Sequence, residues 1–467
     1  MKKIKWLLAD LILGTSLITL PQTGFAKSKK TVTENTSSLQ ERINELEQNQ
    51  KILQRKWEIE QEKAEQKDKP KESLNAGFNS KEGFYLKSSE GGTAIRLRGL
   101  LQADGRFFLN DEGDKLVNQF IGRRLRPIVE GDIGKYFGFK FTPDFGGGTA
   151  SIQDAYADIK PFKALSFRVG KFTAPLGLER WQSSANLLSV ELGLPTNLVP
   201  NRDLGALVFG TIADGVFSYS AGVFNGTIDG GSNDTDVSDG KDVVARLFAQ
   251  PFKNTKLKAL EKLGVGVAGS WGSQFGSATT TNLASQKSSG QNTFFSFRSD
   301  GTAPNTVFAD GDRLRISPQG YYYVGPFGLF GEYVLSSQKV NLAGAKTDIA
   351  NKAWQVAASY ILTGEESSFS GIKVKNPINF KKGNWGAVEL GARYNDLKID
   401  DAAFPVFADP AKSASHAKAW GVVANWYLTN NYKFTVSYDH TNFTGGASGG
   451  ADRAPEHALF TRLQVAY

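Results

Sequence analysis

From residue 93 to its end the chain alternates apolar and polar side chains with a period of two, and the polar set is rich in arginine. Residues 95–108, IRLRGLLQADGRFF, show the pattern. A β-strand sends successive side chains to opposite faces. Ile95, Leu97, Leu101 and Phe107 therefore share one face, and Arg96, Arg98, Gln102, Asp104 and Arg106 the other. A soluble sandwich would turn the apolar face to a core. An outer-membrane barrel turns it to lipid and lines a water-filled lumen with the charges.

About sixteen such segments decide between the two, each near the length a membrane strand needs. They fall near 93–108, 119–133, 136–145, 150–160, 164–173, 203–212, 215–224, 241–251, 263–274, 311–323, 326–338, 351–363, 384–399, 414–428, 431–443 and 456–467. Tight turns at 134–135, 213–215 and 428–431 alternate with long polar loops at 225–240, 272–310 and 444–455, the asymmetry of outer-membrane barrels. The long connection 363–383 falls where a short turn is due. The last strand ends on Tyr467, resembling the C-terminal assembly signal of bacterial outer-membrane barrels. Trp354, Trp385, Trp420, Trp426 and Tyr427 are expected near strand ends, as an interfacial girdle. The expectation is an all-β fold, a sixteen-stranded antiparallel transmembrane β-barrel with an N-terminal short coiled-coil helix.

Residues 1–26 read as a signal peptide: Lys2, Lys3 and Lys5, a mostly apolar run containing Asp10, then Gly24-Phe25-Ala26. No later run of roughly 18 apolar residues offers a spanning helix. Within 37–68, Leu39, Ile43, Leu46, Gln50, Leu53 and Trp57 recur at steps of four and three, a heptad pattern for a coiled coil with partner helices. Residues 69–92 read as a linker and 93–467 as the barrel.

The absence of cysteine excludes disulfides, a cysteine nucleophile and thiolate metal sites. His416, His440 and His457 are widely spaced, so no metal site or Ser–His catalytic cluster is expected, and no cofactor. The glycine motif 264–269 lies in a strand pattern rather than before a helix, and the acidic run 234–240 lacks the closing Glu of a calcium loop. An enzyme and a nucleic-acid partner are not expected.

The same parity turns Arg124, Arg126, Glu130, Asp132, Lys140, Asp144, Asp154, Tyr156, Asp158 and Arg168 inward, and later Arg246, Arg313, Arg315, Arg393 and Arg462. A one-residue slip would place arginines in lipid at about 2–4 kcal/mol each, which fixes the register. Arginine binds oxyanions with a planar, permanently charged fork, and a basic ladder in a narrow pore selects anions. Charge balance in a wide, unselective general porin is the alternative, as is a structural barrel tethered by its stalk. The segment 174–203 is too apolar to lie in water. Trp181, Leu187, Leu188, Val190, Leu192 and Leu194 are expected to fold it into the barrel as a constriction loop, offering Arg180, Ser183 and Ser184 as donors.

The stretches RVGKFTAPLGLERWQSS and LPTNLVPNRDLG, with the Arg123-Arg124 pair and LQADGRF, resemble the phosphate-selective porin O and P family over about residues 85–467. The resemblance implies a homotrimeric outer-membrane porin passing phosphate or related small anions, in contact with lipid and lipopolysaccharide. It implies a central anion site at Arg180, Ser183 and Ser184, with Asp154 facing them, and a basic ladder near Arg98, Arg124, Lys140 and Arg168. It also implies that the helical segment lies in the periplasm. Two departures stand out: no Lys or Arg follows Ser184 until Arg202, and Leu100 takes an inward position where a basic residue would be natural.

Overall fold

The computed structural model describes residues 36–68, 74–80, 82–88, 92–109, 116–236 and 238–467. The expected signal segment lies outside them. The chain divides into two units, 1–71 and 72–467. In the first, Thr36–Asp68 is one 33-residue helix. Its heptad residues Leu39, Leu46, Leu53 and Trp57 are all exposed, so the apolar seam is open to solvent.

The second unit is a closed barrel of sixteen antiparallel strands, from Ala94–Phe108 to Glu456–Ala466. All sixteen expected segments form its strands. Closure comes from the last strand pairing with the first, Ala458 opposite Phe108 through Ala466 opposite Leu100. Tyr467 completes the seam by exchanging backbone hydrogen bonds with Gly99 at 3.0 and 3.1 Å.

The side-chain parity carries through. Ile95, Leu97, Leu101, Phe137, Phe141, Val169 and Val243 are exposed on the outer wall, while Gln102, Asp104, Arg124, Arg315, Arg393 and Arg462 are buried inside. A bulge between the first two strands breaks it locally. Gln102 faces Arg124 and Ala103 faces Gly122, leaving Arg123 as the extra residue. A bulge re-aims a side chain, and both Arg123 and Arg124 end up in the lumen.

Three expectations are corrected. Residues 69–92 are not simply a linker, because Leu74–Asn79 and Gly83–Ser88 form a hairpin that pairs with the first barrel strand. It continues the line of the last strand past Tyr467, so the edge left by the short C-terminus is covered. The girdle is also revised: Trp354 and Trp420 lie mid-strand on the outer wall. The strand holding Trp354 starts at Ala345, earlier than expected, and Tyr427 turns inward to donate to Glu389 at 2.9 Å. Lastly, the loop 276–307 is not a polar surface loop. Its Phe294, Phe295 and Val307 are buried, and it folds down onto the segment 173–202.

Candidate functional site

The segment between Leu165–Phe172 and Asp203–Ile212 folds into the barrel because its apolar side chains find a wall there. Leu176, Leu178, Leu187, Val190, Leu194 and Leu198 are all buried. Its backbone polar groups cannot stay unpaired inside, and inward side chains of distant strands satisfy them. Leu178 donates to Glu332 at 2.7 Å and Leu194 to Asn395 at 2.9 Å. Asn425, Lys433, Gln464 and Arg393 donate to the carbonyls of Leu188, Leu187, Ala185 and Glu191. Leu188 and Leu192 are half-buried, and Trp181 remains 37% exposed.

This fold-back leaves a cavity of about 710 Å³ between the loop and the wall formed by the first five strands. Nine basic residues line it, Arg106, Arg123, Arg124, Arg126, Lys140, Arg168, Arg180, Arg202 and Lys287, against two acidic ones, Asp144 and Asp154. The four residues expected at an anion site, Arg180, Ser183, Ser184 and Asp154, all lie on it.

The basic residues fall into two groups. Some are pinned: Arg168 lies bidentate on Asp158 at 2.7 and 2.9 Å, and Arg126 on Asp144 at 2.7 Å. Asp154 accepts from Arg202 at 2.8 Å and pairs with Lys140 at 3.2 Å. Arg106 and Arg123 converge on Glu191 of the loop. Burial by itself would raise Glu191, but Arg123 and Arg106 outweigh it and hold the carboxyl well below the usual range.

The second group has no counter-charge. Among the described residues, Arg124, Arg180 and Lys287 make no ion pair. Arg124 donates only to the neutral Gln102, at 2.6 Å. Arg180 donates to the Thr196 carbonyl at 2.8 Å and to Asn201 at 3.4 Å. The Nε atoms of Arg124 and Arg180 are buried without a partner. Burial, and then the charge of Arg202, push Arg180 down to about 10. It stays cationic at neutral pH, but a bound anion would relieve that strain. Ser184 accepts from Arg126 at 3.3 Å, which leaves its hydroxyl hydrogen free to donate into the cavity.

Other expected pore residues lie elsewhere. Arg96 pairs with Asp132 and Glu82, and Arg98 with Glu130, toward the short-turn end. Arg246 lines a separate recess. Asp104, Arg313 and Arg315 point inward as expected but do not line open water. Asp104 is locked bidentate to Arg462 at 2.7 Å, and segment 225–240 covers Arg313 and Arg315 through Asp229 and the Gly226 and Thr227 carbonyls. Arg123, Arg202 and Lys287 were not foreseen. The Arg123-Arg124 doublet was legible as a parity break that a bulge resolves. Lys287 gave no local signal, since only the folding of loop 276–307 brings it in. Leu100 does sit inward and lines the cavity.

The family model described as phosphate-selective porin O and P matches residues 95–467. No curated protein matches the sequence. Among solved structures, the chain is similar to the outer membrane channel DcaP of Acinetobacter baumannii, with TM-score 0.51 and 12% identity over 82% of this chain and 99% of that one. The anion-selective porin from Comamonas acidovorans gives TM-score 0.51 and 13% identity over 80% and 100%. Salmonella typhi OmpF gives 0.50 and 10% over 84% and 100%. At these identities the likeness is one of fold.

Proposed function

The chain belongs to the phosphate-selective porin O and P family, an outer-membrane channel, and from that premise we propose that it passes phosphate or related oxyanions by passive diffusion. The observation that carries this reading is the lumenal cavity with nine basic residues against two acidic ones, where Arg124, Arg180 and Lys287 lack counter-ions. In a confined, poorly screened site such an excess attracts anions and repels cations. Arg180 supplies the fork for the oxyanion and Ser184 a hydroxyl donor, with Ser183 beside it. Asp154, held between Arg202 and Lys140, tempers the positive potential so that a bound anion can leave. Conduction needs binding weak enough for release.

The exposed heptad seam of Thr36–Asp68 supports a homotrimer whose helices associate on the periplasmic side, with the barrel wall in lipid.

The test is the reversal potential of the purified protein in a planar bilayer under a chloride gradient, repeated with phosphate on one side. Anion selectivity and a phosphate-dependent fall in chloride current are expected, with the fall reduced in Arg180→Ala. Cation preference would overturn the proposal.

A further inference from the structure

A second recess opens behind the constriction loop at the short-turn end of the barrel, with a volume of about 840 Å³. Trp181 belongs to its wall and to the wall of the arginine cavity, so the two spaces adjoin at that indole. The recess has an unusual lining for a water-filled lumen, a chain of aromatic rings ending on an arginine. Arg246 lies over Phe248 at 4.6 Å and over Trp181 at 5.6 Å. Phe248 packs on Tyr321 at 5.2 Å, and Tyr321 stacks on Phe369 at 5.0 Å with the planes 19° apart. Phe369 comes from the long connection 362–386, which folds back into the barrel mouth and is held to the constriction loop by Gln182 donating to its carbonyl at 2.9 Å.

Arg246 makes no ion pair among the described residues. Its Nε donates to the neutral Gln319 at 3.1 Å, and its two terminal nitrogens stay open to the recess. Lys163 and Lys253 add positive charge, against Asp214 alone. Apolar ring surface facing water is unfavourable unless something covers it. Phe248 is itself buried under Arg246 and Tyr321, so the rings left to a ligand are the exposed Trp181 and the half-buried Tyr321. The occupant that suits both features is flat and anionic, with a ring to pack on Trp181 or Tyr321 and a carboxylate or phosphate for the Arg246 fork.

We infer that this recess is a second binding subsite, behind the oxyanion cavity, for small aromatic organic anions such as aryl carboxylates. The inference rests on the anion-channel reading and narrows its substrate class. An aryl carboxylate would pass Arg180 on its charge, then be retained at Arg246 on charge and ring together, a retention inorganic phosphate cannot share.

The experiment compares benzoate with cyclohexanecarboxylate as blockers of chloride current through the full-length protein in planar bilayers. The two acids carry the same charge at neutral pH and are similar in size, but only benzoate is flat and aromatic. Benzoate is expected to half-block at a concentration about fivefold to tenfold lower, the factor that ring stacking contributes. That ratio should fall toward one in Tyr321→Leu. Arg246→Gln should weaken block by both acids. Equal block by the two acids in the wild-type protein, with anion selectivity intact, overturns the subsite and leaves the anion channel standing. Cation selectivity overturns both. Block by a neutral maltooligosaccharide but not by benzoate would make the rings a sugar platform and also overturn the inference.

Discussion

Arg123 and Glu191 meet side to side, with Nε 2.7 Å from Oε1 and Nη2 3.1 Å from Oε2, and this fork ties the middle of the constriction loop to the bulge in the second barrel strand. Arg106 adds a third contact to the same carboxylate at 2.6 Å. One loop carboxylate therefore pairs with two wall arginines, offsets one of their two charges, and helps hold the loop against the wall.

Removing that carboxylate leaves two inward arginines uncompensated. Glu191→Ala is expected to cost about 3 kcal/mol, the scale for breaking a buried ion pair. It should lower the thermal unfolding midpoint in detergent and raise single-channel current noise as the loop loosens. An unchanged midpoint with quiet current would mean the backbone anchors hold the loop alone.

The same residue sets an acid limit. Its carboxyl titrates below the usual range when folded, so its contribution is fully present above about pH 4.3, the ordinary glutamate value. That contribution is lost only as pH falls through the lowered value. Conductance should therefore stay quiet on acidification from pH 7 to about 4, whereas Glu191→Gln, which mimics protonation, should be noisy at pH 7. Noise appearing in the wild-type protein near pH 5 would contradict this.

Arg180 carries its charge with only neutral partners, so its loss should register in binding more than in stability. Arg180→Ala is expected to weaken phosphate block of chloride current by at least about tenfold, the value of one charge-assisted hydrogen bond. Ser184→Ala should weaken it by about fivefold. If both variants block like the wild type, phosphate binds elsewhere in the cavity.

Asp154 should act in the opposite sense. Asp154→Asn frees Arg202 and Lys140 from their shared partner, and phosphate should bind several-fold tighter and leave more slowly. Current fluctuation analysis reads the residence time directly. A shorter residence time would show that Asp154 orients the basic groups rather than tempering them.

Gly99 packs closely at the closing seam. A Cβ there would lie 2.8 Å from the Tyr467 ring. Gly99→Val is expected to cost about 2 kcal/mol through overpacking and to slow refolding into lipid, followed by heat-modifiable migration on gels. The same substitution in a Tyr467→Ala background should cost much less, because the clash is gone. Additive effects would rule out the contact as the cause.

The strand alternation was readable because it rests on a local rule. Period two, with arginines that lipid would reject, leaves one register for each strand. Ile95 and Arg98 declare their faces without help from the rest of the chain. The hairpin Leu74–Ser88 escaped because its strands are short and carry mixed faces. Beyond each other, the partner that holds them to the barrel is the vacant edge beside Ala94.

The constriction loop was half readable. Its leucines showed that it must leave water, and Arg180, Ser183 and Ser184 do reach one cavity with Asp154. What the sequence could not rank was which charges stay free. Arg313 and Arg180 look alike as letters. Arg313 is bound to Asp242 at 2.8 Å under a folded segment, while Arg180 meets only neutral acceptors.

The sequence by itself determined the barrel, its strand number and the two faces of its wall, since these follow from backbone geometry and the cost of charge in lipid, residue by residue. Only the tertiary structure decided which arginines are spent on carboxylates and which face the path. That pairing joins residues such as Arg106 and Glu191, or Arg315 and Asp229, whose proximity depends on how loops fold inside a closed wall.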